Sequence, residues 1–514
     1  MKAGTPPLPQ LMSRAFSARE RGDVTEAERL CRQALATRPR YFDALHLLGV
    51  IALQTARPQE AADLLSLAVA TNRHHAEASN SLGAALRALD RHREALASYD
   101  RAIALKPSFA NAHFNRGNVL GSLTRHVEAV ESYQRAIALK PDYASAHYNR
   151  GNALGDLLRH REAIESYRKA IALKPDDAKA HWNLAISYLT LGEFALGWKE
   201  HEWRWREEQR AGHRRTFAPP LWLGQYPLDG KTILLHGEQG LGDTLQFCRY
   251  VELVAALGAK VVLEVQPPLA SLLRSLDGAA AVVAHGAGLP DFDYHCPLMS
   301  LPLAFQTGLQ NVPASIPYIR SEPRQVAIWS RRLGERTRPR IGLAWSGSAT
   351  HRNDQKRSIP LSEVLPLLVD EIEWVSLQTE VRPADAALLA AGTSLRHFGA
   401  EMADFSDTAA VAELMDLVIA VDTSAAHLAG AMGKPVWILL PFNPEWRWML
   451  DRGDSPWYPT ARLIRQSAPG DWASVIQAVR QAATTALPSL APGPDSAPRQ
   501  AQMPDAGRAN TLMP

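Results

Sequence analysis

The stretch AHFNRGNVLGSLTRHVEAVESYQRAIALKPDYA (112–144) returns 34 residues later as AHYNRGNALGDLLRHREAIESYRKAIALKPDDA (146–178). Gly117 and Gly151 share one register; the same step backwards meets Gly83 and Gly49, and forwards it meets Ala185. Other small residues keep that interval: Ala27, Ala61, Ala95, Ala129 and Ala163, then Ala34, Ala68, Ala102, Ala136 and Ala170. Tyr99, Tyr133 and Tyr167 lie between the two alanine series, and Pro39, Pro107, Pro141 and Pro175 close the unit. Small residues let two helices approach closely, the aromatic fills the gap, and proline ends the second helix. A period of this length means stacked helix pairs, each burying the open face of its neighbour.

This spacing and signature resemble the tetratricopeptide repeat family. The match covers residues 11–207 and predicts an α-solenoid of six repeats, the first and last degenerate. Asn115, Asn149 and Asn183 recur in the same register. In protein O-GlcNAc transferases of eukaryotic type a similar asparagine ladder lines a groove that holds acceptor backbone, so the resemblance implies a peptide-binding groove. An amide can pair with both polar groups of an extended peptide. The same asparagines can equally brace neighbouring helices.

The solenoid ends in GEFALGWKEHEWRWREE (192–208), where Trp198, Trp203 and Trp205 alternate with Lys199, Arg204 and Arg206, and Arg210 follows. A stacking platform for nucleic acid is one reading. A packed aromatic seam is the preferred one, and no nucleic-acid partner is expected.

From residue 228 the pattern changes to short apolar runs alternating with helices. KTILLHG (231–237), KVVLEV (260–265) and AVVAHG (281–286) read as parallel strands of one half, residues 228–320; RIGLAWSG (340–347), EWVSLQ (373–378), LVIAVDT (417–423) and KPVWILLP (434–441) read as strands of a second, 338–487. Alternation of strand and helix predicts two facing Rossmann-like α/β domains with a cleft at the carboxyl ends of their strands. Residues 208–227 and the Pro- and Arg-rich stretch 315–340 read as linkers, and the tail 488–514 as disordered.

In VIAVDTSAAHLAGAMGKPVWILLP (418–441) a strand ends in Asp422, Thr423 and Ser424 and turns straight into a helix, with His427 four residues after Thr423. A helix start so placed suits a diphosphate. Asp422 and Thr423 as plain helix caps, with His427 packed inside, is the competing reading. In HGEQGLGDTLQF (236–247), Gly240 and Gly242 permit close backbone approach, and Asp243 stands at the cleft mouth as general base or as helix cap. Trp345, Ser346 and Gly347 end another strand and are expected to line the same cleft.

These motifs, in this order, resemble glycosyltransferase family nine, the bacterial heptosyltransferase group of GT-B fold. Gly242 and Asp243 match that family's Gly-Asp motif; Asp422, Thr423 and His427 match its later motif, with Ser424 where glycine is usual. HRNDQKRSIPL (351–361) resembles its basic loop, Arg357 standing where lysine is usual and Lys356 beside it. The resemblance implies inverting transfer of a sugar from a nucleotide diphosphate-sugar, with Asp243 as base. Arg357, Lys356 and the 422–424 turn would hold the diphosphate, and His427 phosphate or ribose. No metal and no cofactor beyond the donor substrate is implied, since cations and helix dipoles take the charge. The DxD at Asp291–Asp293 is a common three-letter match.

Composition fits this architecture. The 514 residues carry 46% hydrophobic and 21% charged residues and a net charge of +3, too balanced for nucleic-acid binding by bulk charge. Cys31, Cys248 and Cys296 are too scattered for a disulfide framework or zinc knuckle, and no apolar run approaches a membrane span of roughly 20 residues. A cytoplasmic chain is expected: a solenoid that presents a protein acceptor to a glycosyltransferase. The alternatives are a scaffold with a degenerate GT-B domain and a lipopolysaccharide-type heptosyltransferase, which leaves the repeats without a task.

Overall fold

The structure is a computed structural model that describes residues 7–207, 215–351 and 353–490. It divides into two units: the solenoid together with Glu445–Leu450, and the α/β region.

Twelve helices form the solenoid: α1 (Leu8–Glu20), α2 (Val24–Thr37), α3 (Phe42–Gln54), α4 (Pro58–Thr71), α5 (Ala76–Ala88), α6 (His92–Leu105), α7 (Ala110–Ser122), α8 (His126–Leu139), α9 (Ala144–Asp156), α10 (His160–Leu173), α11 (Ala178–Thr190) and α12 (Phe194–His201). The glycine register is explained by contact. A Cβ on Gly83, Gly117 or Gly151 would stand 2.7, 2.6 or 2.5 Å from the ring of Tyr99, Tyr133 or Tyr167, and one on Gly49 would meet Leu65 at 2.6 Å. Each tyrosine of the second helix thus lies flat on the first helix of its own repeat. The alanines at 27, 61, 95, 129 and 163 are fully buried.

Two of those tyrosines are also tied by their hydroxyls. Tyr133 donates to Asn118 Oδ1 and Tyr167 to Asn152 Oδ1, both at 2.9 Å. One repeat earlier the register holds Ala84, and the buried Tyr99 hydroxyl finds no acceptor. A buried hydroxyl left unsatisfied costs roughly 1–3 kcal/mol. Ala84→Asn is therefore expected to raise stability by about 1 kcal/mol, read as a higher urea midpoint; an unchanged or lower midpoint rules this account out.

The second unit contains two parallel sheets. β1 (Thr232–His236), β2 (Lys260–Val265), β3 (Ala279–Ala284) and β4 (Tyr294–Pro297) are ordered β3-β2-β1-β4. β5 (Arg340–Ala344), β6 (Glu373–Ser376), β7 (Leu395–Arg396), β8 (Leu417–Val421), β9 (Val436–Leu440) and β10 (Ala461–Arg465) are ordered β10-β9-β8-β5-β6-β7. Strands β4, β7 and β10 were not legible, being short or broken by polar residues. Chain order reverses between β1 and β4 and between β5 and β8, so each sheet opens a crevice there, beyond its carboxyl edge.

Three sequence boundaries need correction. Part of the expected linker 208–227 belongs to the α/β unit: Leu221 bridges to His295, and Trp222, 2% exposed, donates its backbone N–H to the His295 carbonyl at 2.8 Å. Residues 208–214, with Arg210, lie outside the described residues. The stretch 315–340 is not a plain linker, for it contains the helix Pro323–Leu333. Its proline sits in the first turn, where no N–H is needed. Beneath its arginines runs the stripe Val326, Trp329 and Leu333, with the Trp329 indole bonded to Asp407 at 2.8 Å. The last helix, Trp472–Leu490, outruns the expected boundary at 487; of the tail, residues 491–514 lie outside the described residues.

Candidate functional site

The crevice between β5 and β8 gathers most of the residues singled out from sequence. β8 delivers Asp422 and Thr423, 8% and 9% exposed, to the start of the helix Ser424–Ala431. Thr423 occupies the cap position, yet its hydroxyl makes no cap bond and is buried without a hydrogen-bond partner. The capping reading of Thr423 thus fails. Helix geometry leaves the first N–H groups here without intrahelical acceptors. Ser424 has no positive φ, so glycine's conformational freedom is not required at that position.

Arg357 approaches from the short helix Asp354–Arg357. Its Nη1 donates to the Asp422 carbonyl at 3.1 Å, while its buried Nε has no acceptor. The guanidinium lies on Gly347, where an added Cβ would meet Nη2 at 2.7 Å. Gly347 is itself held, its N–H donating to Ser358 Oγ at 3.0 Å, and Ser358 donates to Asp354 at 2.5 Å. Ser346 is braced at both backbone groups by the Gln378 amide. Lys356 points the other way and is exposed. Trp345 does not line the cleft: it is 1% exposed within the core of its sheet, with its indole N–H on Asp385 at 2.9 Å, because the strand's inward alternation carries on past β5.

On the other half, Gly240, Gly242 and Asp243 belong to the turn into the helix Leu241–Phe247. Asp243 Oδ2 accepts the Gly240 N–H at 2.8 Å, so the carboxylate does act as a helix-start brace. Gly242 abuts His427, where a Cβ would come within 2.8 Å of the imidazole Cδ2. Gly242 therefore sets how closely the two helices cross. His427 is 5% exposed; its Nδ1 meets the Tyr458 hydroxyl at 2.9 Å, and its Nε2 lies 3.9 Å from Asp422 Oδ1.

His351, which sequence reasoning passed over, belongs with this group. Burial and the Arg357 charge hold its imidazole below the usual range, against the opposing pull of Asp422, Asp243 and Asp354. Only its place in the basic loop hinted at this. The DxD is a structural pair: Asp293 Oδ2 accepts the Thr232 N–H at 2.8 Å and lies near Lys231. Among the described residues no group of three His, Cys, Asp or Glu side chains is placed to hold a metal, and no helix is long and apolar enough to cross a membrane.

In the solenoid, the Asn115 amide donates to Asn80 at 3.0 Å, Asn149 to Asn118 at 2.8 Å, and Asn183 to Asn152 at 2.9 Å and to Tyr148 at 3.1 Å. Their N–H groups thus bridge consecutive repeats. The terminal tryptophans form a seam: Trp198 is 1% exposed and edge-on to Trp446, and Trp203 stacks on His181 with centroids 3.7 Å apart. Arg204 is buried against Glu202 and Trp205. A nucleic-acid platform would need those faces open.

Residues 83–123, 125–157 and 159–192 match a TPR repeat model, and residues 18–86 match a tetratricopeptide repeat model. The N-terminal solenoid is made of tetratricopeptide repeats. Protein FlbA of Caulobacter vibrioides is 26% identical over 312 residues, covering 56% of this chain, a share larger than the repeats occupy. The chain spans about half of that relative, 52% of its length. Among solved structures, MamA is similar with 29% identity and a TM-score of 0.30, over 32% of this chain and 96% of MamA. A thermophilic TPR protein of Thermus thermophilus, TTC0263, has 23% identity and a TM-score of 0.30, over 36% of this chain and all of that one.

Proposed function

We infer that the α/β unit binds a nucleotide diphosphate-sugar and transfers its sugar to an acceptor hydroxyl, as a GT-B, heptosyltransferase-like enzyme, and that the repeats present a protein acceptor. One observation carries the reading. At the β5/β8 crevice, two buried donors, Arg357 Nε and the Thr423 hydroxyl, have no partner in the protein, beside a helix start. Buried donors are seldom left unmade, and an anion with several oxygens would satisfy both.

The chemistry follows from those positions. The acceptor oxygen attacks the anomeric carbon, and the carbon–oxygen bond to the diphosphate breaks on the opposite face, which inverts the centre. Asp243 takes the acceptor proton. Charge gathering on the leaving diphosphate is met by Arg357 and the Ser424 helix start, without a metal. Arginine binds this group as a planar fork and supplies no proton.

The Asp243 bond to Gly240 supports a second reading, a binding platform without turnover, since that carboxylate already has a local task. A thermal-shift panel with ADP, GDP, UDP, CDP and dTDP tests ligand binding. Ligand at about 100 times its dissociation constant adds roughly 2.7 kcal/mol, an upward shift of several degrees. One nucleotide is expected to shift the wild type and not His427→Ala. Silence with all five would sink the nucleotide reading. Given binding, Asp243→Asn should abolish transfer and keep the shift; a wild type that binds but never transfers is the platform.

A further inference from the structure

Arg249, which no part of the sequence reading used, is 5% exposed between the two halves of the α/β unit. Its Nε donates to the Gln246 carbonyl at 2.7 Å; Nη1 donates to the Pro313 carbonyl at 2.9 Å and the Trp457 carbonyl at 2.7 Å; Nη2 donates to the Tyr318 hydroxyl at 2.9 Å. None of these partners is a carboxylate. The positive charge is solvated by dipoles and aromatic faces, with its guanidinium 4.8 Å from the Tyr458 ring centroid. Such burial is costly and leaves the cation's field uncancelled.

Tyr458 is fully buried and lies flat on the helix Ser424–Ala431 at Gly430, where a Cβ would stand 2.5 Å from its ring. Gly430 is one turn beyond His427, so the hydroxyl reaches back to His427 Nδ1 at 2.9 Å. A cation over a phenol ring draws electron density from it. That strengthens the hydroxyl as a donor and weakens it as an acceptor. Nδ1 is then the accepting nitrogen, and Nε2 carries the hydrogen. The far side of the ring agrees: Nε2 faces the Asp422 carboxylate at 3.9 Å, a group that only accepts.

We propose that Arg249 and Tyr458 are positioning residues that hold His427 as the neutral Nε2–H tautomer, so that its cleft-facing edge is a fixed donor toward an anionic oxygen. The part concerning a bound ligand rests on the nucleotide reading above; the tautomer does not. With the tautomer fixed in advance, the donor is in place before any ligand arrives.

The test is long-range proton–nitrogen NMR of the full chain labelled with ¹⁵N-histidine, with the His427 signals identified by their loss in His427→Gln. The wild type is expected to show Nδ1 unprotonated and Nε2 protonated. Tyr458→Phe, which keeps the ring and loses the donor, should give a mixture of tautomers and weaken the nucleotide found in the panel about tenfold, the worth of one hydrogen bond. Arg249→Met should move the tautomer the same way, and Arg249→Lys should restore part of it. Where Arg249→Met fails to fold, Tyr458→Phe decides. An Nδ1–H tautomer in the wild type, or one unmoved by Tyr458→Phe, overturns the proposal. A responsive tautomer in a chain that binds none of the five nucleotides leaves the proposal standing and removes the nucleotide reading.

Discussion

Gly151→Leu should destabilise the solenoid by about 3 kcal/mol, the upper end of ordinary overpacking. The new Cβ alone would sit 2.5 Å from the Tyr167 ring, before any larger atom is placed. That ring cannot swing aside cheaply, because its hydroxyl is bound to Asn152, which also receives the Asn183 amide from the next repeat. Leaving glycine would ordinarily favour a helix by nearly 1 kcal/mol, so steric overlap has to win against propensity. A urea titration followed by circular dichroism reads the outcome. A control isolates the cause: Gly151→Ala with Tyr167→Leu recreates the pairing of a small residue with leucine seen at Gly49 and Leu65, and should recover much of the loss. A Gly151→Leu midpoint equal to wild type would show that close approach does not explain the glycine register.

Arg357→Ala should weaken nucleoside diphosphate binding by about 10- to 100-fold, since a charge-assisted hydrogen bond is worth roughly 1.5–3 kcal/mol. Folding stability should barely change, because the side chain is half-buried and makes one hydrogen bond to the protein, at the Asp422 carbonyl. Gly347→Val offers a second route to the same end. It keeps the charge and removes the space in which the guanidinium lies. Lys356→Ala, on the exposed neighbour, should leave affinity within about twofold, as surface charges usually do. Calorimetric titration of the three variants with the nucleotide from the shift panel decides the matter. Equal losses at positions 356 and 357 would mean that general positive charge, not the buried fork, holds the ligand.

How much of this was legible can be argued from particular residues. The repeat register was open to reading because every 34 residues meet the same two constraints, a close approach at the glycine and a filled gap at the tyrosine. The cleft motifs were legible for a related reason: a strand that ends in Asp422 and Thr423 and turns at once into a helix leaves few conformations to choose from. Trp345 misled because one residue past a strand end looks the same in sequence whether it turns to the cleft or to the core. Arg249, His351 and Tyr458 were invisible because their significance is in partners dozens to hundreds of residues away.

Sequence alone determined the architecture, twelve helices in six repeats followed by parallel sheets with helices, since periodicity and strand–helix alternation are local properties of the chain. Tertiary structure alone decided which side chains meet. Arg357 against Gly347, His427 against Gly242 and Tyr458, and an unpaired cation at Arg249 all arise where chain reversals bring strand ends and helix starts together, and no spacing along the chain encodes those distances.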